Sequence, residues 1–121
     1  MIKGIKFASI PVTDQDRALE FYTKILGFRV LTDQPFDDKQ RWIELGASGN
    51  GPSIVLFTPD EHRDRIGTFQ QVTFYADDVE KTSADLKKRG VEFVQEPQKA
   101  DWGTAAIFKD IDGNVFVLSS K

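Results

Sequence analysis

The feature that most narrows the fold of this chain is that it repeats itself. Phe7-Ala8-Ser9-Ile10-Pro11-Val12 alternates like a half-buried strand, passes through Thr13-Asp14 and enters a helical pattern from Gln15 to Leu26 that stops at Gly27. The same order returns later. Gln71-Val72-Thr73-Phe74-Tyr75-Ala76 leads through Asp77-Asp78 into Val79 to Arg89, which stops at Gly90. In the first helix Ala18, Leu19, Tyr22, Ile25 and Leu26 form the apolar stripe, and in the second Val79, Ala84 and Leu86 form a weaker one. Thr13 or Asp14 can cap the first helix, and Asp77 with Glu80 has capping-box spacing for the second. Gly27 and Gly90 stand where a helix end calls for a left-handed residue.

The continuation also matches. Phe28 to Leu31 corresponds to Val91 to Val94, each followed by a proline turn, at Pro35 and Pro97. A Trp then precedes the next strand in both halves, at Trp42 and Trp102, and each half closes on an apolar strand, Ser53 to Thr58 and Val115 to Ser119. The Asp-Gly of Asp110-Ile111-Asp112-Gly113-Asn114 marks a tight turn before the last strand. Gly46, Gly49 and Gly51 with Pro52 mark another. Each half therefore reads β-α-β-β-β, an α+β class, with module 1 at about 5–58, a charged linker at 59–67 and module 2 at about 68–120. The halves are expected to superpose with Asp14 over Asp78 and Gly27 over Gly90.

Composition bounds the partners. A chain of 121 residues suits one domain. Its longest apolar runs, such as Ile54-Val55-Leu56-Phe57, are far too short to span a bilayer, and no membrane partner is expected. With no Cys there is no disulfide, thiolate site or thiol nucleophile, which together with a start lacking a secretory apolar run leads to an expected cytoplasmic location. A net charge of −3 with basic residues scattered among acids speaks against a nucleic-acid partner.

Ile10-Pro11-Val12-Thr13-Asp14, Arg17 to Tyr22 and Leu26-Gly27-Phe28, together with Val72 to Val79, Gly90 to Phe93 and Asp110 to Phe116, resemble the vicinal-oxygen-chelate superfamily. That superfamily includes glyoxalase I, extradiol dioxygenases and the fosfomycin- and bleomycin-resistance proteins. The resemblance covers nearly the whole chain. It implies paired β-α-β-β-β modules whose sheets cup a small-molecule site with helices outside, and often a homodimer, sometimes with modules exchanged between chains.

The resemblance also implies four metal-ligand positions. They fall on Phe7, on Gln71, on Val117 and, in the fourth strand, on Val55 or Leu56. Only Gln71 offers a lone pair there, so no metal and no other cofactor is expected. His62, the sole histidine, lies in the charged linker and reads as a surface residue. A serine–histidine–aspartate arrangement is therefore not expected.

Strand alternation sorts the faces. Ala8, Ile10, Val12, Ile43, Leu45, Val72, Phe74, Ala76, Phe116 and Leu118 suit the helix-packed core. The opposite parity carries a mixed ligand-binding lining of Phe7, Ser9, Trp42, Glu44, Gln71, Thr73, Tyr75 and Val117, with Trp102 either joining it as the partner of Trp42 or covering a sheet edge. Aromatic walls with a few polar groups suit a small molecule, and a carboxylate beside Trp and Tyr suits a cationic one. Glu44 is exposed at a rim, or pairs with Arg41, or lies buried, where it could act as a catalytic base. The expected function is metal-free small-molecule binding of the bleomycin-resistance type. The alternative is a lyase, isomerase or dioxygenase-type enzyme.

Overall fold

Strand and helix follow one another in the order the repetition predicts. The computed structural model describes residues 1–68 and 71–120. The described residues fall into two compact units that divide after Asp64. In the first, β1 (Phe7–Pro11) leads to α1 (Gln15–Glu20), then β2 (Arg29–Pro35), β3 (Arg41–Gly46) and β4 (Ser53–Phe57). In the second, β5 (Gln71–Tyr75) leads to α2 (Val79–Lys88), β6 (Phe93–Ala100), β7 (Gly103–Lys109) and β8 (Val115–Ser119). The sheets have equivalent orders, β1-β4-β3-β2 and β5-β8-β7-β6, with the first strand of each parallel to the last. The fold is thus α+β, built from two βαβββ modules. No helix among the described residues is long and apolar enough to cross a membrane.

Both helices start on an aspartate. Asp14 accepts from the backbone N–H groups of Asp16 and Arg17, and Asp78 from that of Lys81. Capping of α2 thus falls to Asp78 rather than to the expected Asp77–Glu80 box, because Asp78 is the extended residue whose carbonyl accepts the first helical bond, from Thr82, while Asp77 accepts from the Tyr75 hydroxyl. Gly27 and Gly90 take positive φ angles of 84° and 93°, as expected at a helix exit.

The two helical segments differ by one residue. Asp14 to Gly27 is thirteen steps and Asp78 to Gly90 is twelve. The extra residue is absorbed where α1 widens into a π-helical turn, Phe21–Ile25, in which the N–H of Leu26 bonds the carbonyl of Phe21. The Thr23 hydroxyl donates to the Leu19 carbonyl at 2.7 Å, taking up an acceptor of the regular ladder at this point. The predicted continuous α-helix to Leu26 is corrected accordingly.

Each sheet buries one face against its helix. In module 1, Ile10, Val12, Ala18, Tyr22, Ile43, Leu45 and Leu56 are fully buried. In module 2 the rings of Phe74, Phe108 and Phe116 stack with Ala106 and Leu118 around them. The face of α2 toward this core is Val79, Ser83 and Leu86, while Ala84 is exposed. Steps of four and three keep one helical face, whereas Ala84, five beyond Val79, rotates off it.

Candidate functional site

Pairing registers arrange the open face of the first sheet, the one away from α1, in rows. Phe7 pairs Ser53, and Gly46 pairs Arg29. The next row runs Ser9, Val55, Glu44 and Thr32. Beyond it lie Pro11 beside Phe57, and Trp42 beside Gln34. The expected module 1 residues Phe7, Ser9, Trp42 and Glu44 therefore do share one face, as alternation requires.

Their side chains organise around Trp42. The Phe7 ring meets it edge-on with centroids 5.5 Å apart, and Phe36 lies tilted against it at 5.7 Å. The indole N–H donates to Glu44 Oε1 at 3.3 Å, and the Ser53 hydroxyl donates to Glu44 Oε2 at 2.5 Å. Arg41 does not pair with Glu44. Its guanidinium binds Asp33 and Asp16, each at 2.9 Å, and these two carboxylates, Asp33 first, hold its pKa above the ordinary value. A cavity of about 310 Å³ opens between Phe7, Ser9, Phe36, Gln40, Arg41, Trp42, Val55, Leu56 and Phe57.

Two glutamines fix the start of β3, and so Trp42. Gln15 is buried at the head of α1. Its Nε2 donates to the carbonyls of Arg41 (2.8 Å) and Leu56 (2.9 Å), while its Oε1 accepts from the Arg41 N–H (2.9 Å). Gln40 exchanges a reciprocal pair with the backbone of Thr58. Asp37 closes the β2–β3 turn by accepting from the N–H groups of Lys39 and Gln40, which brings Phe36 back over Trp42.

The open face of module 2 has another chemistry. Gln71, Thr73 and Tyr75 are exposed, and Val117 lies half-buried between Thr73 and Ile107. The Tyr75 hydroxyl donates to Asp77 at 2.8 Å, and that bond, then the Asp77 charge, raises the phenol pKa. Val117 holds the ladder position of Val55, so Ile107 stands where module 1 has Glu44, and Ala105 where it has Trp42. Trp102 sits outside the strands, 55% exposed in the β6–β7 turn, and is not the counterpart of Trp42.

The implied metal positions resolve as well. Val55 shares the face of Phe7 and Ser9, whereas Leu56 points into the core at 0% exposure, so Val55 holds the fourth position. A metal needs several lone-pair donors within roughly 2.0–2.6 Å. Phe7, Val55 and Val117 have none to give, and the Gln71 amide is one neutral donor. The residues present do not fit a metal. His62 is exposed in the loop after β4, with φ of 60°.

Four site residues were missed from sequence. Ser53 carries a signal, lying two residues before Val55 on the same parity, and so does Phe57, two residues after it. Phe36 and Gln40 carry none, because a turn imposes no alternation.

A family model for the Glyoxalase/Bleomycin resistance protein/Dioxygenase superfamily matches residues 4–118. The uncharacterized protein YetH of Bacillus subtilis (strain 168) is 34% identical over 118 residues, covering 98% of each chain. Among solved structures, UcmS2 superposes with a TM-score of 0.89 at 34% identity over 100% of both chains. TnmS3, an antibiotic binding protein from Streptomyces sp. CB03234, gives 0.85 at 34% identity over 98% of this chain and 95% of its own.

Proposed function

This chain belongs to the Glyoxalase/Bleomycin resistance protein/Dioxygenase superfamily, and from that premise we propose that it binds a planar aromatic small molecule, without a metal, on the open face of module 1. The observation that carries this reading is the aromatic cluster of Phe7, Trp42 and Phe36 beside a cavity of about 310 Å³, a size suited to a small ligand. The similarity to an antibiotic binding protein supports it. Catalysis through a metal lacks its donors, and the bonds from Trp42 and Ser53 hold the Glu44 carboxylate in place as a fixed acceptor. Both modules form one functional domain in this reading.

Each Glu44 oxygen keeps acceptor capacity beyond the bond it already receives. A ligand cation or N–H donor at this end is therefore favoured. Glu44→Gln keeps an acceptor for the Trp42 indole, and its amide can donate to Ser53, so the wall survives while the charge is lost. In a thermal-shift and fluorescence panel, this variant is expected to bind aromatic ammonium compounds several-fold more weakly, about 1 kcal/mol, and neutral aromatics unchanged. Equal weakening of both sets would show that Glu44 matters only as a prop for Trp42. Failure of every aromatic to shift the wild type would defeat the proposed function.

Two further outcomes belong to this reading. Protein purified without chelator is expected to carry well under one equivalent of zinc, nickel, manganese or iron by elemental analysis. One equivalent, lost on mutating Gln71 or Glu44, would overturn the metal-free assignment. Second, an assembly of two chains is expected, because a core this small gains from a partner surface. Light scattering at micromolar concentration should give about twice 13.7 kDa, and a monomer would refute the dimer.

A further inference from the structure

Strand alternation breaks once in β2, and the break changes what faces the site. Val30 pairs Leu45 and Thr32 pairs Glu44, so Leu31 is an extra residue with no partner of its own. A bulge of this kind lets a residue leave the strict alternation of its strand. The side chain of Leu31 comes down onto Gly46. A Cβ placed on Gly46 would lie 3.1 Å from Leu31 Cδ1 and 3.3 Å from Cδ2 and Cγ. That Cβ direction is the one Trp42 and Glu44 take, since all three share a parity on β3. Leu31 therefore stands on the open face, next to the Glu44–Ser53 pair and at the opposite end from Phe36.

Module 2 contains the same bulge with a different outcome. Phe93 pairs Phe108, Gln95 pairs Ile107, and Val94 is the extra residue. The position of Gly46 is occupied there by Lys109, whose side chain reaches Glu92. Val94 is 55% exposed and Leu31 48%, so the two modules differ in what lies beneath the bulge residue rather than in its exposure. Only module 1 places a glycine under its bulge residue.

We infer that Leu31, seated on Gly46, is the end wall of the module 1 site and limits the length of aromatic ligand it accepts. This rests on the ligand-binding reading of that face. Because the wall is hydrocarbon and stands beside the Glu44 carboxylate, the ligand class is a flat aromatic of limited length, with an apolar edge on Leu31 and a donor or cation turned to Glu44. Gly46 does not have positive φ, so alanine is compatible with its backbone, and the flexible end of Leu31 is what must move.

The test measures binding of two probes, 1-naphthylmethylammonium and the longer 2-anthracenylmethylammonium, to wild type, Leu31→Ala, Gly46→Ala and Trp42→Ala. Removing the wall in Leu31→Ala is expected to improve the anthracenyl probe relative to the naphthyl one at least threefold. Gly46→Ala, which pushes Leu31 off its seat, is expected to alter the same ratio at unchanged melting temperature. If Trp42→Ala abolishes binding while both wall variants leave the ratio at its wild-type value, the end-wall assignment is overturned and the ligand-binding reading survives. If neither probe binds wild type, both fall together.

Discussion

Replacing Trp42 by alanine is expected to weaken planar aromatic ligands at least tenfold, the largest loss of any single change at the site. The indole contacts Phe7 and Phe36 and is held by Glu44. Aromatic pairs of this geometry contribute about 0.5–1.5 kcal/mol each beyond burial, and a ligand against the same ring adds a comparable term. About 1.4 kcal/mol is a factor of ten in affinity. Deleting the ring also frees Phe7 and Phe36 from their common partner, so the surface facing the ligand loses order as well as area. Isothermal titration calorimetry reads the affinity of both proteins, and in a Trp102→Phe background the fluorescence of the protein that keeps Trp42 reports on that indole alone. A drop of several degrees in melting temperature with ligand affinity intact would make Trp42 a packing residue and nothing more.

Gln15→Leu is expected to destabilise the protein by about 3 kcal/mol although it adds apolar surface to a buried position. The native amide satisfies three backbone groups, the carbonyls of Arg41 and Leu56 and the N–H of Arg41. Each buried group left unpaired costs about 1–3 kcal/mol, and leucine supplies no replacement. Gln15→Glu should do no better, since it replaces two donors with a carboxylate facing two carbonyls. Urea denaturation would show a lower midpoint with an unchanged slope. Because Arg41 immediately precedes Trp42, the same change is expected to weaken aromatic ligands. A loss under about 1 kcal/mol would mean that water replaces the amide there.

The local order of each module could be read directly. Asp14 and Gly27 at the ends of the first helix, and Gly90 at the end of the second, occupy positions that short-range sterics and orphan backbone groups dictate. Alternation separated Phe7, Ser9, Trp42 and Glu44 from Ile10, Ile43 and Leu45, since a pleated strand has a fixed period of two. It did so without any knowledge of which strands would pair. The lack of donors at Phe7, Val55 and Val117 was equally plain, being a matter of side-chain chemistry.

Other features depended on contacts that no local rule reaches. Asp77 and Asp78 are both plausible caps by spacing, and the backbone decides between them: Asp78 is the extended residue whose carbonyl takes the first helical bond, from Thr82, and whose side chain accepts from Lys81. Trp42 and Trp102 look equivalent along the chain, yet ladder pairing puts Ala105 at the Trp42 position and leaves Trp102 in a turn. Phe36 and Gln40 join the site because a turn folds back, and Leu31 reaches the open face over Gly46 because a bulge interrupts the alternation of β2. The sequence by itself determined the order of elements in the two modules, the glycines that end both helices and the two faces of the regular strands, because these follow from backbone geometry within a few residues. Only the tertiary structure decided which side chains surround Trp42 and where the site ends, because register, bulges and turns are set by pairing between strands far apart in the chain.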